Sequence, residues 1–169
     1  MNLRPLRPLG AATAALWLAA CAGIVSGYGP GDLRVGAPEA DVLQRMGPPT
    51  QIHALPGAVT RLEFARGPMG RHTFMIDLDA QRRVTQWEQV LDADHFAAVT
   101  DGMASDELLR LLGRPAHRMG RRLGEVWSWR DPTTECLWFR VDIGRDARVI
   151  NGGSYGIDPQ CDVNTHARE

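Results

Sequence analysis

Gly102 to Pro115 reads GMASDELLRLLGRP, and Gly36 to Pro49 reads GAPEADVLQRMGPP. In the later stretch Leu108, Leu109 and Leu112 fall at i, i+1 and i+4, so a helix here buries one apolar face and turns Asp106, Glu107 and Arg110 outward. Gly113 can adopt the positive φ that ends a helix, and Pro115 prevents its resumption. The earlier stretch has the same punctuation 66 positions upstream: Gly36 stands with Gly102, Val42 with Leu108, Leu43 with Leu109, Met46 with Leu112, Gly47 with Gly113 and Pro49 with Pro115. Downstream the match continues with a one-residue shift. Leu62 and Phe64 align with Trp127 and Trp129; Phe74, Ile76 and Leu78 align with Phe139, Val141 and Ile143; Arg83-Val84 aligns with Arg148-Val149. A fixed period carrying one helix and then alternating strands in the same order is one supersecondary unit used twice.

Each unit predicts a helix followed by an antiparallel meander. In the first the strands fall near 60–65, 72–78 and 83–89, separated by Gly67-Pro68, Gly70 and Asp79 to Arg82; in the second they fall near 125–130, 135–143 and 148–151. Gly152-Gly153-Ser154-Tyr155-Gly156 is too glycine-rich to continue a strand. The units occupy 33–91 and 92–169. Between them, Asp92-Ala93-Asp94-His95 is read as a polar connector whose aspartate caps a short helical turn, in preference to a metal site.

The chain has 169 residues, 44% of them hydrophobic, and a formal charge of −1. That composition is globular, and the charge gives no long-range pull on nucleic acid. Residues 1–20 read as a leader: Arg4 and Arg7 precede the apolar run Ala11 to Ala20, which is too short to span a bilayer. The run ends in Leu18-Ala19-Ala20-Cys21, which looks like a bacterial lipobox. A lipidated Cys21 followed by Ala22 implies anchorage in the outer membrane, facing the periplasm, and two or more acyl chains make such an anchor lasting. Residues 21–32 read as a flexible glycine-rich tether. Using Cys21 for lipid leaves Cys136 and Cys161 as a pair in an oxidising space, expected to form a disulfide rather than stay two buried thiols.

The run GMxxxELLxLLGxP, then G-E-V-W-x-W, an alternating strand and R-V, resembles the SmpA/OmlA (BamE-like) domain of outer-membrane lipoproteins. Two copies in tandem look like the two-repeat β-lactamase-inhibitor-protein-like fold. The resemblance covers most of 33–150. It implies an α+β chain in which each repeat is a helical hairpin packed on a small antiparallel β-meander. It also implies action through protein–protein contact: accessory to outer-membrane protein assembly or envelope integrity, with a periplasmic inhibitor-type binding protein as the alternative. The capping hydroxyl usual in the motif is replaced by Pro38 in one copy and Ala104 in the other.

Enzyme chemistry finds no constellation. His53, His72, His95, His117 and His166 are scattered, with no H-x-x-x-H or H-E-x-x-H. Gly152, Ser154 and Gly156 mimic G-x-S-x-G without the strand and helix that a nucleophile elbow needs. No glycine loop leads into a helix as a phosphate cradle would. The chain is therefore expected to be no enzyme and to carry no cofactor or metal, an envelope enzyme or ligand carrier with an unrecognised site being the lesser alternative; its partners are the membrane, through lipid, and an envelope protein. Strand parity supplies a candidate partner face. Phe74, Ile76 and Leu78, then Phe139, Val141 and Ile143, should face the helices. That leaves Trp138, Arg140 and Met75 on the opposite faces, with Arg130, Arg148 and Trp87, residue types enriched at interface centres. The competing expectation is that Trp138 and Trp87 are buried where the units or the tail pack.

Overall fold

The structure is a computed structural model that describes residues 27–67, 70–133 and 136–157. The leader, Cys21 and Cys161 lie outside the described residues. The first repeat contains α1 (Glu39–Met46), β1 (Gln51–Leu55), β2 (Val59–Arg66), β3 (His72–Leu78) and β4 (Val84–Gln89). A five-residue helix, α2 (Ala93–Ala97), links it to the second repeat. That repeat contains α3 (Ser105–Leu112), β5 (His117–Arg121), β6 (Gly124–Arg130), β7 (Leu137–Gly144) and β8 (Val149–Ile157). Both sheets are antiparallel meanders of four strands, in the orders β1-β2-β3-β4 and β5-β6-β7-β8.

This corrects the helical hairpin on a small sheet. Among the described residues each repeat has a single eight-residue helix, and the chain after Gly47 and Gly113 turns directly into a strand. The prolines at 49 and 115 bar a second helix, and the extended chain that follows pairs instead. Strands β1 and β5 escaped the sequence reading because they are edge strands with little to bury: β5 is exposed along its whole length, so no period of two is written into it. The glycine run also proves to be strand. Gly153 and Gly156 lie under side chains of β7, where a Cβ would come within 2.3 Å of the Phe139 ring and 2.7 Å of the Arg140 guanidinium. Glycine is there to admit Phe139 and Arg140, not to end the strand.

The missing capping hydroxyls have a structural substitute, identical in the two copies. Pro38 bridges Arg83 and Ala104 bridges Arg148. The first helical N–H groups then donate to the hairpin turn, Glu39 N to Arg82 O and Ser105 N to Ala147 O, both at 2.9 Å. A backbone partner satisfies donors that a serine or threonine otherwise would. In the connector Asp92 does cap α2, accepting from His95 N at 2.9 Å.

Residues 27–33 are a strap packed on the first repeat rather than a loose tether. Tyr28 Oη bonds to His72 Nδ1, Asp32 pairs with Arg45, and Leu33 is buried, with its carbonyl accepting from Trp87 Nε1 at 3.1 Å.

The core has two parts. Val42 and Met46 of α1 meet Leu62, Phe64, Ile76, Leu78 and Val84 on one face of the first sheet. In the second, Leu108 and Leu112 of α3 meet Trp127, Trp129, Phe139, Val141 and Ile143. Met75 belongs to this second part although it lies in β3. The layers therefore run α1, first sheet, α3, second sheet, with α3 filling the space between the sheets.

Candidate functional site

The far face of the first sheet alternates with its apolar face, and on pattern alone it should be wet. Instead the C-terminal end of α3 lands on it. Gly113 sits against Thr73 and Glu63. Glu63 is fully buried; its Oε1 accepts from Arg114 N and its Oε2 pairs with His53 Nε2, both at 2.9 Å. Arg61 donates to both oxygens of Asp77, at 2.6 and 2.8 Å, and to the Arg110 carbonyl at 2.9 Å. A cation on a helix's last carbonyls also suits the helix dipole. Arg71 adds a contact to the Thr133 carbonyl at 2.9 Å.

Burial works against the charged form of Asp77, but the hydrogen bonds from Arg61 and Gln86 and the charge of Arg61 outweigh it and hold the carboxyl below its ordinary value. The folded protein thus keeps Asp77 ionised at pH values where the unfolded chain has already taken up a proton. Stability from this group is complete above the ordinary carboxylate range and is lost as pH falls through that range towards the lowered value. Urea midpoints should drop between about pH 5 and pH 3, and Asp77→Asn should flatten part of that slope. An unchanged slope in the variant would show that the pair does not titrate as described.

Beside this junction lies a cleft of about 740 Å³. One wall is β1, with Ile52 and His53; the other is the end of α3 and the start of β5, with Arg110, Arg114, Pro115 and Arg118. Among the described residues no serine, threonine or cysteine lines it. Among the described residues no three histidine, cysteine, aspartate or glutamate side chains gather as a metal would require. Residues 110–122 hold five arginines and no carboxylate. Arg118 lies over the Trp127 ring at 3.9 Å. Among the described residues, Arg110, Arg114, Arg121 and Arg122 make no side-chain hydrogen bond or ion pair. Met119 and Leu123 are exposed beside them.

The residues expected to form a partner face are placed elsewhere. Met75 is 1% and Trp138 4% exposed, so neither offers a surface; Trp138 lies beneath Arg130, 5.3 Å from its ring centre. Arg140 donates to the Ile157 carbonyl at 3.0 Å. Arg148 donates to Gly102 O at 2.7 Å, as Arg83 does to Gly36 O at 2.9 Å. Trp87, at the edge of exposure, secures the strap. Arg140, Arg148 and Trp87 tie down strand, turn and strap, and the structure does not gather these side chains into one patch. Cys136 is disulfide-bonded; both other cysteines lie outside the described residues.

Sequence reasoning missed Glu63, His53 and the arginines of the cleft because they come from different repeats. A signal was present in the differences between copies: Arg61 and Glu63 stand where the second repeat has Val126 and Ser128.

No family model matches the chain, and no curated protein matches it. With the single helix per repeat, this leaves the SmpA/OmlA resemblance without support. Among solved structures the chain is similar to a "putative beta-lactamase inhibitor protein" from Streptococcus mutans, at 11% identity and a TM-score of 0.31, over 78% of this chain and 89% of that one. It is also similar to an extracellular protein containing an SCP domain from Bacillus anthracis, at 8% identity and a TM-score of 0.29, over 78% of this chain and 46% of that one. Likenesses of this degree decide no function.

Proposed function

We propose that this protein acts by binding another protein, as an inhibitor-type binding protein, from a lipid anchor at Cys21 on the periplasmic side of the outer membrane and with Cys136 paired to Cys161. The observation that carries the binding reading is β5. It is an edge strand exposed at all five residues, and edge strands offer unpaired backbone groups to an incoming strand. It carries arginine and methionine, both enriched at interfaces, at Arg118, Met119 and Arg121. Arginines without ionic partners call for a partner with an acidic face.

The test is capture from detergent-solubilised envelopes by the C-terminally tagged protein, with an Arg121→Glu/Arg122→Glu variant alongside. The wild type should retain one partner, recovery should fall as salt is raised, and the variant should lose it at least tenfold while melting normally. Labelled palmitate should enter the tagged protein at Cys21. Full recovery by the variant, or a partner indifferent to salt, would overturn the reading of β5.

A further inference from the structure

We infer that the cleft between the repeats receives an extended acidic segment of a protein partner, its carboxylates set against Arg110 and Arg114. This deepens the binding reading above and rests on it for the origin of the segment, though not for the chemistry of the cleft.

Three observations converge. The first is charge. Arg110, Arg114 and Arg118 line one wall, and the first two have no ionic partner among the described residues. Of the two carboxylates that line it among the described residues, Glu63 is fully buried and already accepts from Arg114 N and His53, so it does not serve the arginine side chains. Asp106, the other, is exposed. Among the described residues the cleft therefore sets three arginines against one exposed carboxylate that pairs with none of them, and offers fork-shaped donors, the geometry that carboxylates accept two at a time.

The second observation is size and form. At about 740 Å³ the cleft is far larger than one ion needs and lies within the range of pockets that hold a drug-sized molecule. It is a trough open to solvent rather than a closed cavity, as suits a chain that enters and leaves.

The third is its borders. Strand β1 is an edge of the first sheet and β5 an edge of the second, and residues of both line the cleft. An extended segment can add backbone hydrogen bonds to either edge. Ile52, 55% exposed, and Leu109 provide apolar contact between the charges. A peptide alternating acidic and apolar residues matches this surface, because its side chains alternate as a strand's do.

The probe is a fluorescein-labelled hexapeptide of alternating glutamate and leucine with blocked ends, titrated by anisotropy at low salt against the full chain. Its glutamine–leucine counterpart is the control. Binding of the glutamate peptide should exceed that of the control at least tenfold. Arg110→Ala/Arg114→Ala should abolish the difference with an unchanged melting curve, since only backbone atoms of these two residues join the junction. Equal binding of the two peptides, or a double variant that binds as well as wild type, would overturn the inference. Displacement of the peptide by inorganic phosphate at equal concentration would also overturn it, marking a small-anion site instead. The Arg121→Glu/Arg122→Glu variant separates the two readings: it should lose the captured partner yet keep most peptide affinity. Peptide binding with no captured partner in any envelope would sink the protein-binding reading alone.

Discussion

Gly113→Ala should destabilise the protein by about 3–5 kcal/mol, combining left-handed strain with overpacking. Gly113 has φ 75° and ψ −170°, a combination open essentially to glycine alone. A Cβ there would stand 2.8 Å from Thr73 Cγ2 and 3.0 Å from Glu63 Cδ. Neither neighbour can retreat easily, for Thr73 and Glu63 are both buried. Gly102 is the internal control. Its φ is +82° but a Cβ would meet nothing within 4 Å, so Gly102→Ala should cost only the backbone strain, about 1–2 kcal/mol. Urea denaturation of the two variants measures the contrast. Equal losses would mean that the helix end does not rest on the first sheet.

Glu63→Leu should cost about 3 kcal/mol by leaving buried partners unpaired, a fall in melting temperature of roughly 6–12 °C for a chain of this size. The side chain fills its space in either case; what is lost is the acceptor for Arg114 N and for His53. Glu63→Gln separates hydrogen bonding from charge, since it keeps a carbonyl acceptor towards Arg114 N. The glutamine variant should recover about half of the loss. If leucine is as stable as wild type, the carboxylate contributes nothing to joining the repeats.

Much of the fold was legible because it is written twice. The helices, the central strands and the inward parity of Ile76, Leu78, Val141 and Ile143 follow from apolar spacing, and the structure has them there. Strands β1 and β5 were not legible: β5 is exposed throughout and β1 only partly covers His53 and Leu55, so neither writes a clear alternation. The glycine stretch of β8 misled for a different reason: glycine in a strand can mean weakness or close approach, and only the position of Phe139 and Arg140 decides. The cleft lay beyond reach because Glu63, between Leu62 and Phe64, has the spacing of a solvent-facing residue. What buries it is a helix nearly fifty positions later.

The docking of α3 on the first sheet also bears on the order in which the chain can become native. A chain made from its N-terminus completes β4 before Gly113 and Arg114 exist, so the first repeat can close its own face around α1 but not the one that holds Glu63, Thr73 and Met75. Until α3 arrives, a carboxylate that ends up dry stays hydrated and Met75 has no neighbours to pack with. The early half must wait, partly formed, for the late half. The two repeats are alike in sequence, yet the first depends on the second for its last surface, so they are expected to gain their final stability together rather than one after the other.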